Sequence, residues 1–191
     1  MIYIARHGET DYNKIGRLQG QRDISLNEVG RRQALELKEK LKGLDFDEIY
    51  SSDLGRAYET ACIIAGDKKV IQDPRLREIC LGSWEGKTYE YLRASDPRYE
   101  MFFNDPSTIT GADHEPYVNV IKRTDEFFSS LDTCKNILVI THGFVIYNYF
   151  MKLIPDIKPI GNCEILKYDR DRNVILREEK SVSYTHLTLP T

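Results

Sequence analysis

The chain has 191 residues, 41% of them hydrophobic and 30% charged, the composition of a soluble globular protein of a size that suits one domain. A net charge of −3 gives no general attraction to nucleic acid or to an anionic membrane surface. No apolar run approaches the roughly 20 residues that span a bilayer.

Residues 2–5 read as a short buried strand, and a strand starting there leaves no room for a signal peptide, so a cytoplasmic location is expected. Residues 25–42 read as a helix, opened by a Ser25-x-x-Glu28 capping box and carrying Leu26, Val29, Ala34, Leu37 and Leu41 at helical spacing. Residues 48–51 form a second strand. Residues 54–65 follow as a helix whose Ala57, Ala61 and Ala65 make a small face for close packing on a sheet. Val70 and Ile71 suggest another short strand before Pro74. Residues 87–112 carry Tyr89, Tyr91, Tyr99, Phe102 and Phe103 among charges without clean periodicity, either a helical excursion or a long loop. A helix is predicted from Pro116 to about Leu131. The most apolar strand, 136–141, is expected to be central and parallel, with a helix from Gly143 to about Leu153 behind it. Residues 163–168 and 174–177 look like a terminal hairpin turning at 169–171, antiparallel at an edge. The alternation predicts an α/β fold, a three-layer α/β/α sandwich with a mostly parallel central sheet. Cys62, Cys80, Cys134 and Cys163 form no CxxC pair and lack zinc-ligand spacing, so reduced, mostly buried cysteines are expected. Residues 181–191 lack any charge and resemble translated adapter sequence. They are expected to be non-native or disordered, and His186 is set aside with them.

Arg6-His7-Gly8 directly follows the first strand. An obligate cation beside an imidazole is a poor metal site, because arginine cannot deprotonate and repels the ion. It is a good phosphate site, where arginine binds two oxygens and histidine attacks phosphorus or donates a proton. Arg56 follows the second strand, in the first turn of a helix, where the dipole disfavours a cation by about 0.3–1 kcal/mol and a bound anion would remove that penalty. His142-Gly143 follows the most apolar strand. Three basic clusters therefore gather past the carboxyl ends of three strands, the edge where open α/β sheets bind ligands.

These residues also carry a family resemblance. Arg6-His7-Gly8-Glu9-Thr10 resembles the RHGxT motif of the histidine phosphatase superfamily, the phosphoglycerate mutase-like branch. Asn13 and Gln19-Gly20 match the loop beyond it, and Leu26-Asn27-Glu28-Val29-Gly30 matches the start of the family's first helix. The segment running from Ser51-Ser52 through Arg56-Ala57 to Thr60-Ala61 matches a third motif. Leu76-Arg77-Glu78 with Gly82, Trp84, Glu85 and Gly86 matches a fourth, and Thr141-His142-Gly143 the closing one. The matches run in order from Ile2 to about Tyr168. One departure is His114-Glu115-Pro116, where the phosphatases usually carry Gly-Glu-Ser. This leaves Glu115 a weak site candidate and makes His114 a surface residue by expectation.

The resemblance implies that His7 is the nucleophile, forming a phosphohistidine, and that Glu78 protonates the leaving group and activates water. Arg6, Arg56 and His142 would surround the phosphoryl oxygens, with Asn13 as a neutral donor. The catalytic set is then His7, Glu78, His142, Arg6 and Arg56; Asn13, Gln19, Gly20 and Gly143 join these five in binding substrate. Glu9 is the rival acid. Trp84 is a wall of the site or core, and 87–112 is a cover over the site or a packed cluster. No metal or other cofactor is expected, since phosphoryl transfer asks mainly for positioning and charge.

The expected activity is metal-independent hydrolysis of a small phosphorylated metabolite by one domain spanning residues 1–180. The alternatives are a phosphoglycerate mutase, generally longer, and a non-catalytic phospholigand-binding module. No nucleic-acid or membrane partner is expected, and no signal of oligomeric state is present.

Overall fold

A computed structural model describes residues 1–108, 113–151, 159–169 and 174–177. The predicted tail at 181–191 and the turn at 170–171 lie outside the described residues. Six strands form one sheet: β1 (Ile2–Arg6), β2 (Glu48–Ser51), β3 (Val70–Gln72), β4 (Ile137–Thr141), β5 (Ile165–Asp169) and β6 (Val174–Arg177), in the order β3-β2-β4-β1-β5-β6. The first four run parallel, and β5 and β6 are antiparallel at one edge, as their hairpin pattern predicts.

Alternation along the strands sorts the core into two layers. Tyr3, Ala5, Leu138 and Ile140 face α2 (Glu28–Lys40) and α3 (Gly55–Ala65), which follow a four-residue helix α1 (Asp11–Lys14). Ala57 and Ala61 are fully buried there, so the small face does bring α3 close to the sheet. Ile2, Ile4, Ile137 and Val139 face the other way, against Phe127, Phe128, Ile146 and Phe150. These come from two later helices, α6 (Tyr117–Ser130) and α7 (Gly143–Met151). Burying a side chain such as Phe127 contributes roughly 1.5–3 kcal/mol. Between the layers' helices in sequence stand α4 (Tyr89–Ser95) and α5 (Arg98–Asn104), so the aperiodic stretch is a helical excursion as far as it is described. Trp84, Tyr99 and Phe102 form its own buried cluster, which places Trp84 in the core.

Three local expectations are corrected. Helix α2 is capped by Asn27, whose Oδ1 accepts from Gly30 N–H at 2.8 Å, and not by Ser25. Leu26 is instead bridged to Thr10, which holds residue 26 out of the helix. His114 is buried, not on the surface: its ring packs edge-on against Trp84 at 4.6 Å and its Nδ1 meets Asp113 Oδ1 at 2.9 Å. All four cysteines are free, yet only Cys163 is buried; Cys134 is exposed in the turn after α6.

Candidate active site at the carboxyl edge of the sheet

Strands β1 and β4 are neighbours, and the sheet-packing helices that follow them, α2 and α7, lie on opposite faces of the sheet. Adjacent strands diverging in this way open a crevice at their carboxyl ends. The register pairs Arg6 with Thr141, so the next residues, His7 and His142, meet at ring centroids 5.2 Å apart. The loop after β1 lies flat on the start of α2. A Cβ on Gly8 would stand 2.5 Å from Gly30 O, and one on Gly30 would collide with Glu9 O, so both positions need glycine.

His7 is fixed by its surroundings. Nδ1 lies 2.7 Å from Gly8 O, which can only accept, so Nδ1 carries the proton and Nε2 keeps its lone pair. Arg56 Nε donates to that Nε2 at 3.3 Å. The Arg56 guanidinium is buried and also donates to Gly20 O and Arg22 O, both at 2.8 Å. Burial with Arg6 alongside lowers its pKa to about 10, leaving it charged at neutral pH. Arg6 donates through Nη1 to Ile160 O at 2.9 Å, while its buried Nε has no partner among the described residues. Burial, then the positive charges of Arg56 and Arg6, hold the His7 imidazole well below its ordinary pKa. The same forces act on His142. Both ring nitrogens of His142 are buried without a hydrogen-bond partner among the described residues.

Glu78 follows the 3-10 turn Pro74–Leu76 beyond β3. Its Oε1 accepts from Ile79 N–H and its Oε2 from Phe144 N–H, both at 3.2 Å. Enclosure raises its pKa against the opposing pull of Arg56, these two backbone donors and Arg6. The upward shift moves this carboxyl group toward the range of a proton donor, while the two arginines limit the shift.

A cavity of about 660 Å³ opens over these groups, lined by Arg6, His7, Asn13, Arg56 and Glu78. Gln19, Gly20 and Gly143 line it too, so the predicted catalytic and binding set borders the cavity except for His142, whose ring neighbours that of His7. Asn13 Oδ1 is taken up by Thr10 N–H at 3.1 Å, which leaves its amide nitrogen as the donor. The rival acid Glu9 is outside the lining and accepts from Asn27 Nδ2 at 2.9 Å. Glu115 is also outside: Arg123 grips it at 2.8 and 3.0 Å while donating to the carbonyls of Arg75, Arg77 and Glu78. Arg123 thereby fixes the loop that presents Glu78.

Arg123 was not foreseen in the sequence, nor were two other supports. Thr60 Oγ1 accepts from Gly8 N–H at 3.0 Å and donates to Arg56 O, and its place in the third motif could have signalled it. Asn162 Nδ2 donates to His7 O at 2.9 Å, a contact across 155 residues with no local signal. Among the described residues no three His, Cys, Asp or Glu side chains gather as metal ligands, and no helix is long and apolar enough to cross a membrane.

The buried imidazoles make stability pH-dependent. Their folded pKa values lie below the unfolded value of 6.5, so their contribution is present above 6.5 and is lost as pH falls below it. Glu78 acts with the opposite sign, since its raised folded pKa favours the folded state on acidification. Two imidazoles outweigh one carboxyl group, so the unfolded state takes up more protons. Urea unfolding midpoints are therefore expected to fall between about pH 7 and pH 5. A flat or rising midpoint would show that the histidines are not held neutral.

Comparisons with known proteins point the same way as this geometry. The model of the histidine phosphatase superfamily (branch 1) matches residues 2–176. Phosphoglycerate mutase-like protein 4 of Arabidopsis thaliana is 33% identical over 174 residues, covering 83% of this chain and 73% of its own length. Glucosyl-3-phosphoglycerate phosphatase of Mycobacterium tuberculosis is 38% identical over 133 residues, which is 68% of this chain and 59% of that enzyme, less than two thirds of its length. The solved structure of Bacillus stearothermophilus YhfR superposes with a TM-score of 0.81 at 31% identity, covering 95% of this chain and 97% of that one.

Proposed function

The chain belongs to the histidine phosphatase superfamily (branch 1), and from that membership we propose that it is a metal-independent phosphomonoester hydrolase acting through a phosphohistidine on His7. The observation that carries this reading is the state of the His7 ring. Its Nδ1–H is tied to Gly8 O, and its Nε2 lone pair borders the cavity against Arg56. A phosphoryl dianion takes its charge compensation from Arg6 and Arg56, with a neutral ring N–H of His142 and Asn13 Nδ2 as further donors. Nε2 attacks phosphorus as the ester oxygen departs, and Glu78, whose enclosure favours its protonated form, gives that oxygen its proton. Glu78 then accepts a proton from the water that attacks the phosphohistidine, releasing inorganic phosphate and restoring neutral His7. The substrate class at this level is a small phosphorylated metabolite.

The test is turnover of a phosphomonoester panel in excess EDTA, with and without 2,3-bisphosphoglycerate. Release of inorganic phosphate that survives chelation is expected, because the positive charge comes from arginines. Activity lost in EDTA and restored by a divalent ion overturns the metal-independent reading. Interconversion of phosphoglycerates in place of phosphate release would make the chain a mutase. Phosphate binding without turnover would make it a binding module.

A further inference from the structure

The cavity is larger than a phosphoryl group requires, and its outer part is aromatic. Beyond the arginines it is lined by Tyr89, Tyr99, Phe102, Phe144 and Tyr147. A volume of about 660 Å³ falls in the range of pockets that enclose a ligand of many atoms. Phe102 and Phe144 are already stacked on each other at 5.2 Å and 11°, and Tyr99 and Phe102 pack edge-on against Trp84. Tyr89 differs from them. It stands at the start of α4 with the residue 39% exposed, while burial raises the pKa of its hydroxyl, which also feels the charges of Arg6 and Glu78. Its backbone N–H donates to Gly16 O at 3.0 Å, and a Cβ on Gly16 would be 3.5 Å from ring atom Cδ2, so Gly16 neighbours the ring.

The outer cavity also carries charge. Beyond Arg6 and Arg56, which face the phosphoryl group, the lining cations are Arg17 and Arg93. Arg93 is paired with Glu100 at 2.8 Å, and Glu100 itself lines the cavity. Arg17 donates to Gly86 O at 3.0 Å and lies over the Tyr12 ring. Arg93 is thus offset by a carboxylate, whereas the charge of Arg17 meets a neutral carbonyl and a ring. A planar group entering beside these side chains meets the rings that line the cavity, and gains the offset or edge-on contacts that aromatic pairs prefer.

Resting on the phosphatase reading above, we propose that the preferred substrate is the phosphomonoester of an alcohol bearing a planar aromatic group, and that Tyr89 selects it by stacking. The experiment compares kcat/KM for benzyl, cyclohexylmethyl and n-propyl phosphates and for 3-phosphoglycerate. The first three release unactivated primary alcohols, so their differences report recognition more than leaving-group chemistry. Benzyl phosphate is expected to lead. Tyr89→Ala should lower the benzyl to n-propyl ratio by about five- to tenfold, and Tyr89→Phe should retain it. Equal rates for benzyl and cyclohexylmethyl phosphates, a preference for 3-phosphoglycerate, or an unchanged ratio in Tyr89→Ala overturns the proposal while leaving the hydrolase intact. Hydrolysis of other phosphomonoesters but none of these four also overturns the proposal, whereas no phosphate release from any phosphomonoester overturns the hydrolase reading, and this proposal falls with it.

Discussion

Replacing His7 by alanine is expected to abolish turnover, lowering kcat by about 10⁴-fold or more, while the protein stays folded. The side chain lost makes two polar contacts, to Gly8 O and from Arg56 Nε. Arg56 keeps Gly20 O and Arg22 O as acceptors, so its guanidinium is not left without partners. The far-ultraviolet circular dichroism and a cooperative thermal transition should therefore persist. Brief incubation of the wild type with labelled substrate, followed by quench and proteolysis, should give a phosphopeptide containing residue 7. That label should be lost in acid and survive in base, as expected for a phosphorylated imidazole. An acid-stable label on serine, a base-labile label on a carboxylate, or substantial activity in His7→Ala would each end the covalent mechanism on this residue.

What makes His7 legible in a bare sequence is that its position depends on short-range features. An apolar run ending in a basic pair fixes a strand end, and three such ends in parallel strands must fall on one edge of one sheet. The α/β order, the edge hairpin and the convergence of Arg6, His7, Arg56 and His142 all follow from that rule. Other features depend on contacts that local pattern cannot carry. Ser25 satisfies the capping pattern as well as Asn27 does, and the choice between them is made by the bridge from Thr10 to Leu26, across 16 residues. His114 looks like a surface residue beside two acidic neighbours, and it is buried because Trp84 offers it a ring edge. Asn162 and Arg123 hold His7 and the Glu78 loop through backbone carbonyls, and such contacts place no demand on the partner's side chain that a reader could notice. Tyr89 was visible as one aromatic among five in an aperiodic stretch. Only the fold separates the exposed Tyr89 and Tyr91 from the packed Tyr99 and Phe102, and of these two exposed residues it is Tyr89 that lines the cavity.

Replacing Glu78 by glutamine is expected to separate the two chemical steps. The amide is nearly isosteric, although it can accept from only one of the Ile79 and Phe144 N–H groups through its single oxygen. With an alkyl phosphate, whose alkoxide needs a proton to leave, kcat should fall by about 10²–10⁴, the usual scale for a positioned acid. An aryl phosphate with a strongly acidic phenol departs without that proton, so phosphorylation of His7 should proceed at close to the wild-type rate. Hydrolysis of the phosphohistidine then lacks its base, and the phosphoenzyme should accumulate in a rapid-quench experiment. The pH profile gives an independent reading. Burial and the arginines keep His7 unprotonated well below pH 6.5, so the acidic limb of kcat/KM lies below that value. The basic limb reports loss of the Glu78 proton, displaced upward from the usual carboxyl range by enclosure, and in Glu78→Gln that limb should disappear. Equal losses on alkyl and aryl substrates with no phosphoenzyme would mean that Glu78 shapes the pocket without moving a proton. Glu9, although turned to Asn27, would then be the next carboxylate to replace.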